Sequence, residues 1–325
     1  MKLRPYVGRL DDGSEIYRYI VTELSSIFSE PIFHVTQLGR KVLKYADEKT
    51  GISVVGKLLH LEADSKEFEN LKKLESLGLC EGHYRVIRPL GSRKEISLSL
   101  LSPFVSGEDL DYYLEAALLE GGSLLLKEKL QNLSALLIRL HGIENEGPYF
   151  YEFERSHVRK IVLKLQKDGI LSLDEGRYFL KLFDLWIESF LRFKRKKAIL
   201  HGDVTPTNFI FPGEGEIVAI DLERMRMGDP IYDLGFVCAE IKHAFLWRRG
   251  DWFSSEPYIR AFLEFYCEKK EDSQRSFEEI TRDLPFFMAI CELRIARNEY
   301  LESSYRRRLC EEARKCLFSG LSVLF

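Results

Sequence analysis

HGDVTPTNFIF, residues 201–211, and IVAIDLERMRMGDPIYDLGF, residues 217–236, decide how this chain is read. They set Asp203, Asn208 and Asp221 in that order. Two short apolar runs, Asn208–Phe211 and Ile217–Ile220, flank the turn Pro212-Gly213-Glu214-Gly215 and predict a hairpin. Such a hairpin carries Asn208 at its entry and Asp221 at its exit, so both side chains come to the same end of the ribbon. Phosphoryl transfer needs this set: a carboxylate to take a hydroxyl proton, and an amide oxygen with a second carboxylate to hold magnesium on a nucleotide.

The rest of the chain must supply a frame for that loop. At 325 residues it is too long for one small core and suits two lobes. A net charge of −3 gives no global field to recruit nucleic acid or an anionic membrane. No apolar run approaches the roughly 20 residues of a membrane helix. The opening MKLRPYVGRLDDGSE has no continuous apolar segment of the kind a signal peptide carries. A soluble cytoplasmic protein, monomer or homodimer, is therefore expected. Of the six cysteines none forms a C-x-x-C pair or alternates with histidine at zinc spacing, so reduced thiols are expected. Cys310 and Cys316 fall on one predicted helix with different faces, which argues against a bridge between them.

Apolar spacing predicts a helix over 14–28 with Ser14 as N-cap. Strand-like runs follow at Ile32–Gln37, Lys41–Tyr45 and Ile52–Leu59, then a helix over 63–79 stopped at Gly78, then strands at His83–Ile87 and Ile96–Leu101. This order describes a small sheet carrying one helix. Ser102-Pro103-Phe104-Val105-Ser106-Gly107 reads as a linker. Three parts result: an N-terminal lobe over 1–101, the linker 102–107, and a mostly helical lobe over 108–325. Helices are predicted at Asp109–Leu119, Leu124–His141, Phe153–Lys167, Asp174–Phe193, Ile231–Phe245, Tyr258–Glu268, Phe277–Glu299 and Tyr305–Phe318. A short buried strand, Ala198–Leu200, leads into the 201–211 loop. The basic run Arg192–Lys197 ends a helix and complements its dipole.

Lys57 is a charge inside the apolar strand Val54-Val55-Gly56-Lys57-Leu58-Leu59. It is either a solvated edge residue or a buried cation with a partner. The following helix offers Glu67 and Glu69. A strand lysine held by a helix glutamate can grip nucleotide phosphates. The turn two strands earlier has one glycine, Gly39. If that turn covers phosphates, it does so through backbone amides near Gly39 and the side chains of Arg40 or Lys41.

The step from Asp203 to Asn208 matches the Asp-x-x-x-x-Asn of a kinase catalytic loop. With Lys57, the helix glutamate, the proline–glycine linker, Leu140-His141-Gly142 and Asp221 through Gly235, the chain resembles the aminoglycoside phosphotransferase and choline kinase superfamily. The resemblance implies an α+β, protein-kinase-like fold of two lobes: a small antiparallel sheet with one helix, and a larger helical lobe. It implies Asp203 as catalytic base, Asn208 and Asp221 as Mg2+ ligands, and Lys57 with Glu67 at the phosphates of ATP or GTP. His201 and Gly202 match the pair that shapes the loop. Asp233 matches a helix aspartate that bonds the loop backbone.

Departures from that pattern narrow the acceptor. Asp221 is followed by Leu222-Glu223, not Phe-Gly, and only residues 222–228 separate it from Asp229-Pro230, a helix start. This leaves no room for a segment that docks a polypeptide, so a small-molecule hydroxyl acceptor is expected: a sugar, amino sugar, amino alcohol or aminoglycoside. A protein kinase and an inert pseudokinase binding module are the alternatives. Glu223, Glu240, Trp247 and Trp252 are candidates for the acceptor pocket, since aromatic rings with nearby acids can stack a sugar or cage an amine.

Overall fold

The computed structural model describes residues 7–58, 66–120, 123–145, 149–191 and 197–324. The start of the helix expected from residue 63, the strand end at Leu59 and basic residues 192–196 lie outside the described residues. The chain gathers into two compact units. The first is Met1–Gly107 with Ile210–Met225, and the second is Glu108–Phe209 with Arg226–Phe325. The break after Gly107 closes the predicted linker, and residues 210–225 group with the first unit rather than with the lobe that surrounds them in sequence.

The first unit opens with β1 (Val7–Arg9) and α1 (Glu15–Glu23), whose N-cap Ser14 accepts the Tyr17 amide. β2 (Phe33–Gly39), β3 (Val42–Asp47) and β4 (Ser53–Leu58) precede α2 (Lys66–Ser76) and β5 (Tyr84–Val86). β6 (Gly91–Arg93) and β7 (Leu98–Pro103) complete a six-stranded sheet in the order β1-β2-β3-β4-β7-β6. Every pairing in it is antiparallel. Strand alternation divides its side chains. Phe33, Val35, Tyr45, Val54, Leu98 and Leu101 form a core with Tyr19, Ile20, Leu24 and Phe28 from α1 and the turn after it. Each such side chain, fully buried, is worth about 1.5–3 kcal/mol. Val55 and Lys57 alternate out of this core.

The run expected over His83–Ile87 does not join that sheet. β5 pairs in parallel with β12 (Ile217–Ala219), with Tyr84 opposite Ile217, and β12 neighbours β11 (Phe209–Phe211). Pro89, which has no amide proton, ends the run, and Gly91–Arg93 takes the place beside β7.

The second unit begins at β8 (Glu108–Asp109), followed by α3 (Leu110–Glu120), α4 (Ser123–His141) and β9 (Glu144–Asn145). α5 (Glu152–Lys167) and α6 (Leu173–Phe190) lead to β10 (Lys197–Leu200), and β13 (Arg226–Gly228) lies antiparallel beside β10. α7 (Ile231–Arg249) is buried on all sides from Ile231 to Lys242, as befits a helix without an amphipathic stripe. α8 (Glu256–Cys267), α9 (Ser273–Ala296) and α10 (Ser303–Leu324) complete the unit. At Gly235 a Cβ would stand 2.5 Å from Cβ of Phe287, so α7 and α9 approach more closely than any larger residue allows. All six cysteines are free thiols.

Candidate active site

In the first unit β4 and α2 bring Lys57 to three carboxylates. Its Nζ is 2.7 Å from Glu67 Oε2, 2.8 Å from Asp221 Oδ1 and 3.1 Å from Glu223 Oε2. Glu67 is 2% exposed and is the α2 glutamate that meets Lys57; Glu69, two positions on, is exposed. Burial works against the ammonium's charge, but Glu67 and Asp221 outweigh it and push Lys57 above its ordinary value. Asp221 follows β12 with φ of 60°, a left-handed conformation that aspartate tolerates better than most residues. Asn70 on α2 donates to the Leu222 carbonyl at 3.0 Å and ties the segment after Asp221 to the same helix. Val42 pairs with Lys57, so the turn of Gly39, the exposed Arg40 and Lys41 leaves β2 and β3 at the Lys57 end of β4.

In the second unit β10 delivers the chain into the 201–208 loop. His201 is fully buried and Gly202 sits at φ of 80°, where a side chain would strain the backbone. Asp233, in the first turn of α7, accepts the His201 amide on Oδ2 at 2.8 Å and the Gly202 amide on Oδ1 at 3.1 Å. Burial alone would raise this carboxyl, but His141, His201 and the loop amides prevail and hold it below the usual carboxylate range. His141 Nε2 lies 3.2 Å from Asp233, and its Nδ1 2.9 Å from the Tyr266 hydroxyl. The loop closes on itself: the Thr205 amide donates to the Asp203 carbonyl at 2.8 Å, and Asn208 Nδ2 donates to the same oxygen at 2.9 Å. That bond uses the nitrogen of the Asn208 side-chain amide.

Asp203 meets a residue that spacing alone did not reveal. Arg294 on α9 donates from Nη1 to Asp203 Oδ1 at 2.5 Å and from Nη2 to Glu240 Oε1 at 2.7 Å. Thr205 Oγ1 donates to the same Asp203 oxygen at 3.1 Å. Glu240 is thus buried against Arg294. Of the other residues considered for the acceptor, Glu223 is paired with Lys57. Trp247 is half exposed with its ring edge-on to Tyr305, and Trp252 stacks on Phe253 at 3.9 Å beneath the Lys242 ammonium. The signal for Arg294 was present: Glu292 and Arg294 interrupt the apolar run Phe286–Ala296, and a charge in such a run needs a buried partner. His141 was visible in Leu140-His141-Gly142, but nothing local shows that it supports Asp233.

In the first unit Glu67, Asp221 and Glu223 offer hard carboxylate oxygens of the kind that suits magnesium, whereas no cysteine or histidine cluster of the described residues offers a soft-metal set.

Fold and family together define a phosphotransferase. The chain belongs to the phosphotransferase enzyme family, abbreviated APH, whose model matches residues 59–277. Among solved structures it is similar to choline kinase LicA from Streptococcus pneumoniae, with TM-score 0.59 and 16% identity over 94% of this chain and 100% of that one. It is similar to a Plasmodium vivax ethanolamine kinase, with TM-score 0.58 and 14% identity over 95% and 89%. The streptomycin–ATP complex of the aminoglycoside phosphotransferase APH(2")-IIa gives TM-score 0.53 and 16% identity over 97% and 96%. No curated protein matches the chain in sequence. Among the described residues no helix is long and apolar enough to cross a membrane.

Proposed function

We propose that the protein moves the γ-phosphoryl group of ATP, or of GTP, to a hydroxyl of a small polar acceptor: a sugar, amino sugar, amino alcohol or aminoglycoside. The observation that supports this most is the Lys57 ammonium held at 2.7 and 2.8 Å by Glu67 and Asp221. A cation fixed in this way is ready to meet phosphate oxygens without first paying for its own ordering. The ATP complex among similar folds agrees with a nucleotide donor, and the choline and ethanolamine kinases agree with an amino alcohol or related acceptor.

In this reading Lys57 binds the nucleotide phosphates, with Glu67 setting its position. Asn208 and Asp221 hold magnesium, which when bound neutralises phosphate charge. Asp203 accepts a hydrogen bond from the acceptor hydroxyl, orients its oxygen, and takes its proton late, since a loose transition state needs mainly alignment. Asp233 fixes the loop without touching ligand. The short link from Asp221 to Asp229 favours a small acceptor over a protein.

Phosphorylation of a metabolite panel with both nucleotides tests the reading. Asp203→Asn and Asp203→Ala are expected to lose nearly all turnover while nucleotide still binds, and Asp221→Ala to lose metal-dependent nucleotide affinity as well. Wild-type turnover in either Asp203 variant refutes the role given to that residue.

A further inference from the structure

We infer that Arg294, backed by Glu240, is the positioning device for the Asp203 carboxylate. The inference rests on the reading of Asp203 as proton acceptor. Arg294 is 8% exposed, on a helix whose neighbouring turns are apolar. A buried guanidinium is costly unless its donors are met, and an apolar residue in its place is often no less stable. Its partners therefore indicate what it does. One nitrogen goes to Asp203 and the other to Glu240, so a single planar fork spans two carboxylates from different elements.

That arrangement removes the freedom Asp203 would otherwise have. Asp203 Oδ1 receives both Arg294 Nη1 and Thr205 Oγ1, and two donors on one oxygen oppose rotation of the carboxylate about its Cβ–Cγ bond. Glu240 holds the far side of the fork, and the Cys291 thiol lies 3.8 Å from the same glutamate oxygen. Burial works against the Arg294 charge, but Cys291, Glu240 and Asp203 outweigh it and hold the guanidinium protonated. The loop is thus fixed twice by two helices packed tightly at Gly235. Asp233 of α7 holds its backbone, and Arg294 of α9 holds its side chain. A lysine at 294 keeps the charge but has one nitrogen, which cannot serve both carboxylates at fork geometry.

The test is a double-mutant cycle on Asp203→Asn and Arg294→Met, with Arg294→Lys and Glu240→Gln beside it. Release of labelled phosphate from Mg-ATP, with water as acceptor, gives the rate, so that even slow turnover is measurable. Nucleotide affinity and thermal melting are followed in parallel. Arg294→Met is expected to lose on the order of a hundredfold in rate, the loss expected from misplacing a reacting group by about an ångström, with nucleotide affinity unchanged. Arg294→Lys should recover part of that rate. The double variant should be no slower than Asp203→Asn alone, because residues that act as one unit are not additive. A merely structural arginine predicts multiplied losses, and that result, or a wild-type rate in Arg294→Met, overturns the inference. Should Arg294→Met not fold, Glu240→Gln leaves both Arg294 and Asp203 in place. A rate loss there that vanishes in the Asp203→Asn background supports the inference, and an undiminished one overturns it. A wild-type rate in Asp203→Asn refutes the proton-acceptor reading itself, and the melting cycle then still reports whether the two side chains are coupled.

Discussion

Lys57 Nζ lies 2.7 Å from Glu67 Oε2, and the two are unequal partners. Glu67 is 2% exposed and has Lys57 as its cation, whereas Lys57 also reaches Asp221 and Glu223. Removing one member of a buried pair costs about 3–5 kcal/mol when the other is left uncompensated. Lys57→Met should approach that cost, because Glu67, Asp221 and Glu223 then face one another with ligand oxygens within 4.8 Å. Glu67→Gln should cost less, since two carboxylates remain on the ammonium. Both should weaken nucleotide binding. Chemical denaturation of the two variants checks the order of stabilities, and an equal or reversed order contradicts it.

Asp221 has φ of 60°, a conformation that costs most side chains roughly 1–3 kcal/mol. Asparagine tolerates it and alanine does not, so the two replacements separate charge from backbone. Asp221→Asn and Asp221→Ala should both lose magnesium-dependent nucleotide binding, since neither keeps the charge. Asp221→Ala should unfold more easily, by about 1 kcal/mol. Denaturant midpoints measure the difference, and matched midpoints would show that strain at this position is not what separates them.

The 201–221 stretch was legible because its chemistry is local: Asp203 and Asn208 sit in one loop, and their residue types and spacing carry the pattern. The ten α-helices of the described residues were legible from apolar spacing, although α1 ends at Glu23 rather than continuing to Phe28. The missing strands β1, β6, β8, β9 and β13 are only two or three residues long, too short for an alternation to show. β5 was visible as a strand, but its partner β12 lies far along the chain, and no local pattern encodes a distant parallel pairing. The partner of Arg294 was illegible for the same reason. The arginine's charge stands out in an apolar helix, but the contact with Asp203 spans 91 positions.

Gly235→Ala sets two opposed effects against each other. Alanine in a helix interior is worth about 1 kcal/mol over glycine. At Gly235, however, the added Cβ would lie 2.5 Å from Phe287 Cβ and 3.2 Å from the Met288 backbone nitrogen. Those atoms belong to a packed helix and cannot swing aside, so overpacking of about 1–3 kcal/mol should prevail. The variant is expected to melt lower than wild type. It should also lose activity, because α7 carries Asp233 and α9 carries Arg294. A melting temperature at or above wild type would mean that the two helices can separate without cost.

His243 gives the protein a calculable response to acid. It lies on α7 with Nδ1 2.8 Å from the Tyr305 hydroxyl, and burial, helped by Arg248, lowers its pKa from 6.5 to about 4. Between these values the unfolded chain binds a proton that the folded chain refuses. The stability this confers is complete above about pH 6.5 and is lost as the pH falls toward about 4. Buried carboxylates pushed above their ordinary range, such as Glu240, act in the opposite sense. The clean observable is therefore the difference between wild type and His243→Asn. Asparagine keeps an acceptor for Tyr305 and has no titration. Thermal melts across this range should show the wild type losing more on acidification than His243→Asn does. Parallel curves would mean that His243 protonates as easily in the folded protein as in the unfolded chain.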